Sequence, residues 1–581
     1  MALILRLSSS ILYPSKKWRV ISYRSSIIYA HSQSPQSFER RSANYEPTIW
    51  HDNFIQSLSN GDKLESKEEK IFKLSKEVSQ ILCKQEMLKG KLEFVDLLQQ
   101  LGIAYRFTDE IDCVINEIYE SMNQILLPDM HDDLYLVSLL FRLLRMLGFS
   151  VHEDIFKCYL DKEGYWEEKL FSDIKGTLSL YEASYFAKEG EEILEMARHL
   201  TTRHLSDFLM SPNCDDSRLR DHVAHALDLP LNWRIERLHT RWFIEQYKTD
   251  DKMIPALWEL AVLDFNLMQD LYKNELKHVS RWWTDLRLYE KLPFIRDRLA
   301  ENYLWTVGGA FEPEHSSHRI AQTKANCLIT TIDDIYDVYG SLIELEAFTV
   351  AVDKWDITAA EALPEYMKTC ISALFNTVED QGQEVFKKKG LDVIPYFKRA
   401  WKDLCKAYLT EARWYHNGYL PTLEEYLENA WVSISGNIAI STAYCINNYV
   451  TAKELEQFSS GYPDIVRYSS MNLRLYNDLA TSTAELERGD VNKVVQCYMR
   501  DKNVTELVAR KEINEMIWKY WKLINAEIMS NCAFGKYLKN TASNIARMAQ
   551  CIYQNGDGYG MPDGETKDQI LKLLFEPIKL I

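Results

Sequence analysis

Two segments of this chain carry oxygen-bearing side chains at helical spacing inside otherwise apolar sequence, a pattern that costs free energy unless a cation answers it. The first runs Leu328-Ile329-Thr330-Thr331-Ile332-Asp333-Asp334-Ile335-Tyr336-Asp337-Val338-Tyr339. Asp333 and Asp337 are four residues apart, so on a helix both project from one face, about 5–6 Å apart at Cβ. Hard carboxylate oxygens on a rigid helix suit Mg²⁺, which keeps waters and completes its shell with substrate phosphate oxygens. Asp334 points elsewhere and supports the pair. Taken alone, the cluster reads equally as a solvated face or as the first turn of a helix.

The second segment begins Arg474-Leu475-Tyr476-Asn477-Asp478 and ends at Glu485. Asn477, Thr481 and Glu485 recur every fourth residue, which makes a gently drifting stripe of amide, hydroxyl and carboxylate oxygens along one helix. Such a set can chelate magnesium and leave positions for phosphate. Arg474, one turn earlier, shares the face and can donate to a phosphate oxygen. By itself this stripe also reads as an exposed polar face. Two magnesium-type stripes in one helical chain are harder to set aside than either alone.

The elements that must hold these stripes are helical. Glycine (21 of 581) and proline (15) fall below their usual shares of about 7% and 5%, which disfavours a turn-rich β architecture. Apolar residues recur at helical spacing, as in Ile193, Met196, Ala197 and Leu200, or Leu260, Leu263, Leu267 and Met268. The most apolar stretch, Leu134 to Phe149, is interrupted by Arg142 and Arg145 and is too short for a bilayer, so it predicts a buried helix and no membrane span. A net charge of −17 argues against a nucleic-acid binder, which needs clustered Lys and Arg. The eleven cysteines are scattered without a C-x-x-C pair, so neither zinc nor a disulfide framework is indicated and a reducing interior is the economical reading. Residues 1–39 are rich in serine and basic residues, with no acid before Glu39. That is the composition of an organelle transit peptide; a disordered basic tail is the alternative.

At this point a resemblance becomes specific. Asp333-Asp334-Ile335-Tyr336-Asp337 resembles the aspartate-rich motif of plant class I terpene synthases, and Asn477-Asp478-x-x-Thr481-x-x-x-Glu485 resembles their second metal motif. Arg296-Asp297-Arg298 is similar to the family's R-x-R, and Arg40-Arg41 followed by Trp50 is similar to the tandem-arginine motif of monoterpene synthases. Arg281-Trp282-Trp283, Trp305, Arg488-Gly489-Asp490 and Asn555-Gly556-Asp557-Gly558-Tyr559 extend the agreement over residues 40–581.

The resemblance implies an all-α fold of two helical domains. These are an N-terminal α-barrel-like domain over 40–265 with a strand that caps the active site, and a C-terminal class I terpenoid synthase bundle over 266–581. It implies three Mg²⁺ ions, with Mn²⁺ as a substitute, held by Asp333 and Asp337 on one side and Asn477, Thr481 and Glu485 on the other. Arg296, Arg298 and Arg474 would then bind the departing diphosphate. Trp305 and Tyr559 would line the pocket, Asp557 would partner that tyrosine, and Lys493 would stand behind the metal site. Asn326 reads as a pocket residue facing the cation or as a satisfied polar core residue. Gly436-Asn437 departs from the common Gly-Pro and leaves the contour of the neighbouring helix open, and Asn492 replaces the proline often found before the lysine.

The implied activity is a metal-dependent lyase that converts geranyl diphosphate to an acyclic or cyclic monoterpene plus diphosphate in the plastid stroma, as a monomer. Two alternatives stand beside it: a sesquiterpene or hemiterpene synthase, and an inactive helical binding protein. No Asp-x-Asp-Asp motif for initiation by protonation is present, and no phenylalanines stand near Asn326 and Leu473 as in isoprene-releasing relatives.

Overall fold

The structure, a computed structural model, describes residues 40–59, 64–122, 132–211, 216–487, 491–531, 534–560 and 564–580, with backbone alone at 64–66 and 483–487. The leader at 1–39 and the Arg488-Gly489-Asp490 motif lie outside the described residues. The fold is all-α, and the only β pairing among the described residues is an isolated bridge between Leu160 and Trp166.

The apolar run near residue 140 forms the helix Leu134–Met146, buried along almost its whole length. Its two arginines do not reach solvent. Arg142 pairs with Asp96 at 2.6 Å, while Arg145 pairs with Glu191 at 2.5 Å and donates to the carbonyls of Val151 and Phe186. Each buried cation is answered by an opposite charge beside it, without which its burial would be strongly unfavourable.

The helix Pro255–Leu286 starts with proline in its first turn, where a missing N–H costs nothing, and runs through residue 265 unbroken. Its fully buried Asp264 accepts hydrogen bonds from Tyr105 (2.5 Å), Arg106 (2.6 Å) and Arg237 (3.2 Å). Near the far end of the chain, Trp518 and Lys522 bond Glu195, and Asn525 donates to the carbonyls of Tyr185 and Ala187. The early helices are therefore packed firmly onto the later ones.

Two local departures from helix shape the site. The aspartate helix, Ser316–Asp334, widens into a π turn over Ile335–Tyr339, closed by the Gly340 N–H on the Ile335 carbonyl at 2.8 Å. Gly340 is needed there, because a Cβ would stand 2.5 Å from Leu345 Cδ2 and 2.9 Å from that carbonyl oxygen. Such turns concentrate at functional sites. On the opposite wall, Leu423–Ser433 stops and Ser435 adopts φ +67 before the helix Gly436–Ile446 begins. Ser470 Oγ occupies the space a side chain at Gly436 would take, so the break is fixed by packing as well as by backbone strain.

Candidate active site

Asp333 and Asp337 come from one wall of a cavity of about 170 Å³, and Asn477, on the helix Asp464–Glu487, comes from the other. Arg296, Arg474 and Lys493 also line it. Trp305, Leu473 and Tyr559, with Asn326 among them, provide an apolar and aromatic part of the lining. Asp333 and Asp337 thus share this cavity with Asn477, with cations around them.

Arg296 is locked to the aspartate helix by both main chain and side chain. Its backbone N–H donates to Asp334 Oδ2 at 2.7 Å, and its guanidinium meets Asp334 Oδ1 at 2.8 Å and also Asp333. Asp334 is fully buried, which pushes its carboxyl up to about 6 against the opposing pull of Arg296. It is the acid that anchors Arg296. Arg474 is oriented by Ser433 Oγ (3.0 Å), the Ala430 carbonyl (3.2 Å) and Asp478 (3.3 Å), and its guanidinium reaches Asn477 Oδ1 at 3.4 Å. Buried Asp478 also accepts from Tyr426 (2.7 Å) and from the Val494 N–H (3.0 Å), which anchors the chain beside Lys493.

Residues 40–50 cross this end of the bundle. Arg40 makes a two-pronged pair with Glu344 at 2.8 and 3.0 Å and donates to the Tyr339 carbonyl at 3.0 Å, while Arg41 donates to the Asp337 carbonyl at 3.3 Å. Both therefore satisfy carbonyls that the end of the π turn leaves without partners, and both place positive charge at a helix C-terminus. Arg40 lies over the rings of Tyr339 and Tyr366, and Arg41 over Tyr415.

The family profile described as "Terpene synthase family, metal binding domain" matches residues 284–523, and "Terpene synthase, N-terminal domain" matches residues 49–227. The chain belongs to the terpene synthase family. It is 51% identical over 560 residues to "Monoterpene synthase 8, chloroplastic" of Hedychium coronarium, covering 94% of each chain. Its fold superposes on a crystal structure of limonene synthase with 2-fluorolinalyl diphosphate at TM-score 0.90 and 42% identity, covering 93% of this chain and 100% of that one. Against isoprene synthase from grey poplar leaves, in complex with three Mg²⁺ ions and dimethylallyl-S-thiolodiphosphate, the TM-score is 0.83 at 39% identity, with 91% and 99% covered.

In this terpene synthase several expected roles take a different form. Arg298 is 1% exposed and donates to the carbonyls of Glu46, Asp297, Tyr559 and Gly560, so its guanidinium ties the segment 40–50 to the loop at 559 and does not line the cavity. Asp557 holds the backbone N–H groups of Tyr559 and Gly560, whereas the Tyr559 hydroxyl meets Thr330 at 2.5 Å and Asn302 at 3.0 Å. Thr481 is buried, with its hydroxyl on the Asn477 carbonyl at 3.0 Å, and the Glu485 side chain lies outside the described residues.

Sequence reasoning passed over Tyr408, Glu411 and Tyr553, all of which line the cavity. Tyr408 and Glu411 share a face of the helix Ile394–Asn417, but an aromatic and an acid one turn apart carry no signal that separates them from ordinary helix residues. Among the described residues, no three His, Cys, Asp or Glu side chains form a metal cage. Asp333, Asp337 and Asn477, facing a cavity with three cationic side chains, instead offer hard oxygens suited to magnesium that completes its shell from a phosphate.

Proposed function

We propose that this enzyme is a monoterpene synthase acting on geranyl diphosphate in the plastid stroma. What carries the reading is the meeting of Asp333, Asp337 and Asn477 across one cavity beside Arg296, Arg474 and Lys493. The relative named as a chloroplastic monoterpene synthase and the limonene synthase holding a fluorolinalyl diphosphate support the ten-carbon substrate. The cavity volume of about 170 Å³ is of the order of an engineered apolar cavity, about 150 Å³, that takes up a small hydrocarbon.

Three magnesium ions, with manganese as a substitute, would be held by Asp333, Asp337, Asn477, Thr481 and Glu485. When bound, they would neutralise the diphosphate and improve it as a leaving group. Arg296 and Arg474 donate to the departing oxygens, the part of the molecule where negative charge grows as the carbon–oxygen bond breaks. Arg298 contributes indirectly by holding the capping segment. Trp305, Tyr408 and Tyr559 present ring faces to the allylic cation and keep water from it. Residues 40–265 serve as scaffold and cap, 266–581 carry the chemistry, and the enzyme works as a monomer.

The test is to supply the purified protein with Mg²⁺ and either geranyl or farnesyl diphosphate, then identify volatile products by gas chromatography. Monoterpenes from geranyl diphosphate are the expected result. Preference for the fifteen-carbon substrate would replace the reading with a sesquiterpene synthase, and no diphosphate release from either would reject it.

A further inference from the structure

The segment between the tandem arginines and Trp50 does more than connect them. Ser42 Oγ accepts the Asn44 N–H at 3.2 Å, and Asn44 adopts φ +49, the left-handed conformation that asparagine tolerates better than most residues. The chain turns there. The next residue, Tyr45, lays its ring over the Arg296 guanidinium, 4.7 Å from ring centre to carbon. The segment is pinned on both sides of this contact, by Arg40 on Glu344 and by Arg298 on the Glu46 carbonyl at 3.0 Å. On its edge, Arg296 faces Asp333 and Asp334, and its Nε is buried without a hydrogen-bond partner. Its other ring neighbour, Tyr559, is farther away at 6.0 Å. Tyr45 does not line the cavity, so it acts on Arg296 from outside the reacting space.

We infer that Tyr45 is a positioning residue for the ionisation step: delivered by the capping segment, its ring fixes the Arg296 guanidinium toward the diphosphate site and seals that cation from water. The inference rests on the proposed ionisation of a prenyl diphosphate. The ring face is what matters, since a cation over an aromatic face is held by the ring's quadrupole and the contact strengthens as water is excluded. Arg296 serves the leaving group of any substrate, so loss of the ring should impair geranyl and linalyl diphosphates alike.

The experiment compares the full chain with its Tyr45→Phe and Tyr45→Ala variants. Tyr45→Ala should lower kcat/KM for both diphosphates by about ten- to thirty-fold, the rate equivalent of a desolvated cation–π contact, and Tyr45→Phe should stay within about two-fold of the parent. Hydrogen exchange without substrate supplies a second readout. The Arg296 amide, bonded to Asp334, should exchange faster in the alanine variant and at the parent's rate in the phenylalanine variant. Parent-like kinetics in Tyr45→Ala, equal damage from Tyr45→Phe, or unchanged Arg296 exchange would each overturn the inference. If the parent consumes neither diphosphate, the proposed function fails, and the exchange comparison alone decides whether Tyr45 holds Arg296.

Discussion

Glu344→Gln removes one charge from the anchor of the capping segment while keeping the shape of the side chain. The carboxylate takes Arg40 at 2.8 and 3.0 Å, the Tyr366 hydroxyl at 3.1 Å and the Ser341 N–H at 2.9 Å. Burial pushes its titration up, but the bonds from Arg40 and Ser341 outweigh that and bring it from 4.5 down to about 2. At full strength that gap converts to about 3 kcal/mol. The paired side chains are 31% and 18% exposed, so solvent screening reduces the clamp to about 1–2 kcal/mol. A loss of that size should open residues 40–46 locally without unfolding the bundle, speeding their amide exchange about five- to thirty-fold at neutral pH.

The sign of the pH dependence follows from the same numbers. A depressed carboxylate stabilises above its unfolded value, so the parent's extra protection should be full above 4.5 and fade as pH falls toward about 2. The variant should show no such fading. Exchange mass spectrometry of the amino-terminal peptides reads both effects. Equal exchange of parent and variant at pH 7 would refute the clamp.

Three other expectations can be checked independently. Asp333→Ala or Glu485→Ala should abolish turnover while circular dichroism stays helical, and a chelator should silence the parent until Mg²⁺ is returned; activity surviving either treatment would remove the metal assignment. Gly340→Ala should lower turnover more than about ten-fold at little cost in helix content, because the added Cβ displaces the turn that carries Asp337; a parent-like rate would mean that the turn adapts. Glu182, whose carboxyl burial drives up to about 7, holds its proton more tightly when folded, so its contribution fades as pH rises through 7. Glu182→Gln should therefore melt with the parent below 4.5, as at pH 4, and at a higher temperature at pH 8.5, and calorimetry showing the same difference at both pH values would contradict this.

The two oxygen-bearing stripes stood out because carboxylates and amides at four-residue spacing are out of place in apolar helices, and of their residues Asp333, Asp337 and Asn477 meet in the cavity. The all-α architecture followed from periodicity and from scarce glycine and proline. Less was legible where a residue's meaning depends on a distant partner. Arg142 and Arg145 looked like interruptions of an apolar run until Asp96 and Glu191 appeared beside them. Arg298 looked like a diphosphate donor, yet four carbonyls from three parts of the chain claim it. Glu344 and Tyr45 gave no signal, since an acid at the third position of a helix and a tyrosine in a polar stretch are ordinary by themselves. Spacing along one helix is written locally, but contacts between segments some 300 residues apart, such as Arg40 with Glu344, are not.

Asp264 bears on how relatives of this enzyme can be recombined. A hybrid joined near residue 265 would splice within a continuous helix, so its phase must be kept to the residue. The splice would also decide which parent supplies the acid that Tyr105, Arg106 and Arg237 share. A graft that brought two foreign arginines to a neutral side chain would bury unanswered charge and misfold before its catalytic pocket was ever tried. Crossovers placed between Asp250 and Pro255, ahead of the helix, keep Asp264 but not its arginines, so shuffling libraries should carry all four residues as one inherited block.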